Sequence, residues 1–437
     1  MRKLHGLCLL IGLILPWAAS LGQTEFNARS VGMAGAYQGM ARGADASLWN
    51  PANLALLDNP RFCMDFLNAS LCLGNNSISV GGYNAYFTAD YFNVHERWTN
   101  AAKEEILGWI PNQGWQVYNR AKITPLAISH KQYAIAVSSF AFGDAQLPKE
   151  AIDVALYGLG AEQVILDDLH GEAIAGTEIA LAGAKLFNSK WSWAEKLALG
   201  GTFKFLIGHA YAKTETIEGS ALSSVDSIAL HGEYQAVLVN PFADKGETGY
   251  GFTFDLGAAA VVNERFSVGL ALHNIVGGIA FNGCEEVQGS YHLEEAGLQL
   301  EELDDLEAYL DSITAAADTT FLSDRRIQYT PPRWLGLSAN YKLYHNFTVE
   351  LDYYQGFNQT AGGTTAPRFA LGTEFWRWRM LPLRFGVGIG GVQGLTLACG
   401  WGLRLGHYQL DIGCEGQRGV FNGAKGISVA LAQRIVF

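Results

Sequence analysis

Residues Leu395 to Glu415 admit few folds. A two-residue turn at Gly406-His407, with Gly first as a type II′ hairpin prefers, sets Leu405 opposite Tyr408. The pairs then run Leu403 with Leu410, Trp401 with Ile412, and Cys399 with Cys414, all apolar. The other face pairs Arg404 with Gln409, Gly402 with Asp411, and Ala398 with Glu415. Apolar-out, polar-in alternation is the pattern of a lipid-facing barrel strand. A soluble sandwich also alternates, so this hairpin alone leaves both open.

The rhythm recurs. Leu335, Leu337, Ala339, Tyr341 and Leu343 oppose Phe347, Val349, Leu351 and Tyr353 across a turn at His345-Asn346. Phe252 to Val262 meets Phe266 to Leu272 across Asn263-Glu264-Arg265. Leu383, Phe385, Val387 and Ile389 alternate with Arg384, Gly386, Gly388 and Gly390. Trp376 and Trp378 alternate with Arg377 and Arg379, which puts both arginines on the inner face. Trp378, Tyr344 and Tyr408 sit near short turns, where an interfacial aromatic girdle belongs.

Composition decides between the alternatives. Only 16% of the 437 residues are charged, against about 25% in ordinary soluble domains. Glycine reaches 51 residues and aromatics 12%, yet past the N-terminus no run of 18 apolar residues suggests a helical span. A net charge of −12 excludes a nucleic-acid partner, which needs a basic footprint.

The termini agree with export. Met1-Arg2-Lys3, the apolar run Leu7–Trp17 and the small residues Ala18–Gly22 form a secretory signal, cleaved after Ser20 or Gly22. The C-terminal strand alternates back from Phe437 through Ile435, Gln433, Leu431, Val429 and Ile427. A last strand ending on an aromatic resembles the signal read by the bacterial barrel-assembly machinery. With Phe437 in the periplasm, the short turns lie there too. The segments near 358–363 and 416–425 then face outward. Parity becomes ambiguous around 214–225 and 240–249.

The expected architecture is therefore an all-β membrane protein of the Gram-negative outer membrane. It is a 14-stranded antiparallel transmembrane barrel, chosen from a count of 14 to 16, with an N-terminal hatch inside the lumen and a few short helical insertions. Residues 1–22 are the signal, 23–60 the hatch and 61–437 the barrel. Helical insertions fall at about 99–119, 145–171 and 293–316. The third is acidic, and its plain reading is a solvated loop helix.

Residues 24–60 are rich in Gly and Ala and alternate little. Asn50-Pro51 reads as an N-cap with Pro at the first helical position. Small residues allow close packing in a lumen lined by Gly386, Gly388 and Gly390, so this segment is expected to fold inward as a plug. The strings ARSVGMAGAY (28–37) and DASLWNPANLA (45–55) resemble the hatch of the long-chain fatty acid transporter (FadL-type) superfamily and of its PorV-type relatives in type IX secretion. FTFDLGAAAVVNERFSVGLALHNI (252–275) is similar to a strand–turn–strand of those relatives. Residues 124–158 and the C-terminal third resemble barrels of the DUF5723 type. The resemblance implies a 14-stranded barrel plugged by the hatch, with Gly32, Gly35, Asn50, Pro51 and Ala52 carried over to its motif. It also implies passage of hydrophobic small molecules, or alternatively a shuttle or anchor for secreted proteins. Outer-membrane lipid and the assembly machinery are the other expected partners.

No fatty-acid carboxylate site carries over. Arg377, Arg379, Arg384 and Arg404 are expected in the lumen, either serving an anion or neutralised by Glu350, Asp352, Asp411 and Glu415. The second is favoured because unpaired buried charge is costly. Gly386–Gly391 lacks the strand–turn–helix context of a phosphate loop. Ser129-His130 has no third orienting group. His209, His231 and His273 are isolated in sequence. No catalytic residue, metal or cofactor is nominated. Cys399 and Cys414 are the best placed for a disulfide, though a hydrogen-bonded pair position makes the geometry hard.

Overall fold

The computed structural model describes residues 26–158, 164–165, 169–223, 227–239, 248–296 and 317–437. The expected signal at 1–22 and most of the acidic insertion, residues 297–316, lie outside these. In chain order the strands are β1 (Phe62–Asn75), β2 (Trp115–His130), β3 (Tyr133–Leu147), β4 (Val164–Ile165), β5 (His170–Asn188) and β6 (Lys196–Ser223). Next come β7 (Ser227–Val239), β8 (Gly249–Val261), β9 (Phe266–His273), β10 (Gly277–Ala296), β11 (Ala317–Tyr329) and β12 (Trp334–Tyr344). The last six are β13 (Phe347–Gly356), β14 (Arg368–Trp378), β15 (Leu381–Gly390), β16 (Thr396–Leu405), β17 (Tyr408–Gln417) and β18 (Gly426–Val436).

The sheet closes where β1 pairs antiparallel with β18, Cys63 opposite Val436 and Gly74 opposite Gly426. Closure removes the open edges that would template aggregation. The sheet has eighteen strands, not the fourteen expected from sequence. The difference arises at β6, whose 28 residues far exceed the roughly ten needed to cross a bilayer. Its first half, Lys196–Gly208, pairs with β8. Its second half, Tyr211–Ser223, pairs with β7, which pairs in turn with β10, and β10 with β11. The two-residue β4 also joins β6. Of these, only the second half of β6 falls where parity counting is ambiguous; β10 and β11 lie C-terminal to that region.

The hairpin register is set by turn chemistry. Gly406 adopts φ 60°, and Leu405 lies opposite Tyr408 with Cys399 opposite Cys414, as expected. Both thiols are free, so no disulfide joins this candidate pair. The outer face is apolar: Leu199, Phe252, Phe254, Leu256, Leu371, Phe385, Ile389 and Trp401 are all exposed. In a bilayer that surface meets hydrocarbon. Trp378 and Tyr344 are exposed beside turns, while Tyr408 is half-buried.

The short turns after β2, β8, β12, β14 and β16 fall on one rim. The opposite rim carries the long insertions. Helices Val80–Tyr86, Ala89–His95 and Asn100–Trp109 precede β2. Only the last falls in the 99–119 region expected to be helical, and that region's end belongs to β2. Among the described residues of 145–171, only Lys149–Tyr157 is helical.

Candidate functional site

The barrel's interior is occupied by residues 27–56. Ala28, Met33, Ala36, Tyr37, Trp49, Asn50 and Ala52 are buried, each at most 2% exposed. The segment is built from single turns. Asn27 caps helix Ala28–Val31 reciprocally with Ser30. Asn50, extended at φ −149°, caps a 3-10 helix Pro51–Ala55 by accepting from Ala52 N. The Asn50–Pro51 cap thus opens a 3-10 helix.

Glycines of the wall make the room. A Cβ on Gly200 would sit about 2.5 Å from the Pro51 carbonyl carbon, and one on Gly257 would strike Asn50 and Pro51. Gly372 and Gly386 face Met33–Ala36, and Gly400 and Gly413 face Ala28–Gly32. A Cβ on Gly32 would lie 3.0 Å from the backbone of Gly400. Gly35 turns the chain with φ 93°, which non-glycine residues rarely adopt. Of the three glycines expected to face the segment, only Gly386 does. Gly388 faces the Arg368 guanidinium, and Gly390 faces Pro367.

The inner wall is charged, and most of its charges are paired. Arg384 reaches Glu374 at 2.6 Å and Asp411 at 2.8 Å. Arg404 reaches Asp411 at 2.8 Å and lies over the Trp376 ring. Glu350 accepts from Asn340 at 2.6 Å and from Gly39 N. Asp352 accepts from the backbone N–H of Tyr37 and Gln38 at 2.8 and 2.9 Å. Glu415 is buried and lines a cavity. Six of the eight charges nominated from sequence are therefore interior.

Arg377 and Arg379 are exposed, which corrects their assignment to the lumen. Glu374 points inward, so two residues on Trp376 also points inward and bonds Glu374 through its indole N–H at 2.8 Å. That turns Arg377 outward. A register shift between Phe375 and Trp378 then breaks the alternation that the sequence reading had extended through Arg379.

Several residues that tie the segment to the wall were not nominated. Arg29 pairs with Glu374 at 3.0 Å. Arg434 pairs with Asp45 at 2.6 Å, and Tyr37 donates to Asp45 at 2.7 Å. Lys204 and His273 share Asp255 at 2.8 and 3.0 Å. The available signal was position: Lys204, Asp255, Glu374 and Arg434 all fall on the polar face of strands that otherwise alternate cleanly.

Between segment and wall lies a cavity of about 40 Å³, bordered by Ser30, Gly35, Arg120, Arg368, Gln393 and Glu415. Ligand pockets span roughly 300–1,000 Å³. This space suits water, so the segment closes the lumen here.

A closed antiparallel sheet with an apolar outer face and a charged, filled interior defines a transmembrane β-barrel. The chain belongs to the Family of unknown function (DUF5723), whose profile matches residues 66–413. No curated protein matches it. Among solved structures it is similar to the Ralstonia pickettii toluene transporter TbuX, at 14% identity and TM-score 0.51, over 95% of this chain and 99% of that one. A TodX deltaS2S3 mutant monoaromatic hydrocarbon channel matches at 10% identity and TM-score 0.56, over 94% and 99%. The Pseudomonas putida toluene transporter TodX matches at 10% and 0.52, over 95% and 99%. These likenesses establish the fold.

Proposed function

We propose that this chain is an outer-membrane channel for hydrophobic small molecules, plugged by residues 27–56 and exported through cleavage of its first 20 to 22 residues. One observation carries the reading. The segment fills the lumen of a barrel whose fold is shared end to end with hydrocarbon channels, and it is seated on wall glycines rather than fused into the sheet. A ligand entering from the outer rim meets this plug, and the cavity of about 40 Å³ beside it is too small for a hydrocarbon, so passage requires the plug to shift. Most of the buried charges are partners of one another or of the plug, which gives Arg384 and Arg404 a holding role rather than an anion-binding one.

Uptake of radiolabelled toluene and of a long-chain fatty acid tests this, in Gram-negative cells lacking their own such channels. Native mass spectrometry of the purified barrel accompanies it. Faster uptake of either compound than in empty-vector cells, with a hydrophobic ligand co-purifying, is the expected result. Equal uptake and an empty barrel that retains a secreted protein instead would overturn it.

A further inference from the structure

We infer that His273 is held as an imidazolium that clamps the plug to the wall, so that loss of one proton loosens the plug. The ring is fully buried, and each nitrogen has one partner. Nδ1 lies 3.0 Å from Asp255 Oδ2, and Nε2 lies 2.9 Å from the carbonyl oxygen of Trp49 in the plug. A carbonyl oxygen only accepts. Asp255 also acts as an acceptor at both oxygens, since Oδ1 takes Asn274 N–H at 2.8 Å and Oδ2 takes Lys204 Nζ at 2.8 Å. Both ring nitrogens must therefore donate, and neutral histidine carries only one N–H.

The surroundings fit a cation. The ring stacks on Trp334 with centroids 3.7 Å apart and planes 12° apart, an indole face that favours positive charge. The charged groups facing the site are Asp255 from β8 and Lys204 from β6. Behind Lys204 lies Glu178 of β5, paired with Lys122 of β2 at 2.7 Å. The plug contributes the Trp49 carbonyl, and Asn50 beside it donates to Ala258 O at 3.1 Å. The clamp thus grips the turn that enters the Asn50-Pro51 cap. Deprotonation leaves either Asp255 or the Trp49 carbonyl facing a nitrogen lone pair. The plug contact is the weaker one to keep, because Asp255 is the charged acceptor.

The inference rests on the plug reading for its consequence only. It is tested without any ligand, so its failure and that of the channel reading are distinguishable. Hydrogen–deuterium exchange of the amides of residues 46–58 is followed in detergent at about pH 5 and about pH 8. Rates are corrected for the intrinsic pH dependence of exchange. In the natural chain these amides are expected to exchange about tenfold or more faster at the higher pH, the loss of one charge-assisted hydrogen bond. His273→Phe, which keeps a ring against Trp334, is expected to exchange fast at both. His273→Gln, with one donor group and no charge, removes the pH response if the larger ring change prevents folding. A pH-independent rate in the natural chain, or a pH response that survives either substitution, overturns the clamp.

Discussion

Arg434 Nη2 lies 2.6 Å from Asp45 Oδ2, and both side chains are only 3% exposed. One residue belongs to the last strand and the other to the segment inside the barrel. A second carboxylate, Asp65 of β1, lies 3.6 Å from the same guanidinium. The seam that closes the barrel and the contact that seats the plug therefore share one arginine.

Removing that arginine leaves Asp45 buried without its cation. Arg434→Met is expected to destabilise the folded barrel by about 3–5 kcal/mol, the usual cost of breaking a buried pair from one side. Arg434→Met with Asp45→Asn should recover part of the loss. The measurement is the midpoint of heat-modifiable gel mobility in detergent. A single variant that melts with the parent would show the pair to be inert.

Asp58 gives a pH dependence with a definite sign. It sits at the short-turn rim between Arg42 at 2.8 Å and Lys342 at 3.2 Å. Those two cations hold its carboxyl down to about 2. A depressed carboxyl contributes stability that is fully present above the ordinary value of 3.8 and is lost as pH falls toward about 2. The side chain is 46% exposed, so solvent and salt screen the effect to under about 1 kcal/mol. Asp58→Asn should therefore lower the unfolding midpoint slightly at neutral pH and leave it unchanged near the acid limit. A deficit that persists there would refute the assignment.

Cysteine accessibility tests which way the strands face. Cys399 and Cys414 are exposed on the outer face, while Cys63, Cys72 and Cys284 are buried. A membrane-soluble maleimide should label two of these five thiols in the folded barrel and all five after denaturation. Labelling of Cys63 or Cys72 before denaturation would contradict the burial of these two β1 side chains.

What was readable follows from how register is specified. Around Gly406-His407 a two-residue turn and strict alternation fix every pair, because slipping by one residue would turn the apolar face inward. Arg377 and Arg379 were misread because Trp376 and Trp378 were taken as the outward face, whereas Trp376 points inward with Glu374 and bonds it. Strands β7, β10 and β11 were undercounted because the long β6 extends past the crossing length and its neighbours there do not alternate cleanly. The plug was legible as an inward segment of small residues, but its anchors were not. Arg29, Asp45 and Arg434 are single charges whose partners lie hundreds of residues away, and periodicity carries no information about such pairs.

The wall glycines offer the most direct test of the plug. Gly200 and Gly257 lie on neighbouring strands as Cα partners of one register, and both face the Asn50–Ala52 turn. A side chain at Gly200 meets backbone atoms of Pro51 and Ala52 rather than the end of a flexible side chain. Relief therefore requires the turn to move. Gly200→Val should cost about 1–3 kcal/mol, as overpacking does, and that cost should fall on the plug. The barrel should keep its heat-modifiable mobility while residues 40–60 become cleavable by a protease added from the short-turn side. Gly183→Ala is the matched control, since its Cβ would meet only the Tyr133 ring at 3.4 Å, an ordinary contact. Equal protease resistance in Gly200→Val and the control would mean that the segment does not depend on the glycine-lined wall for its seat.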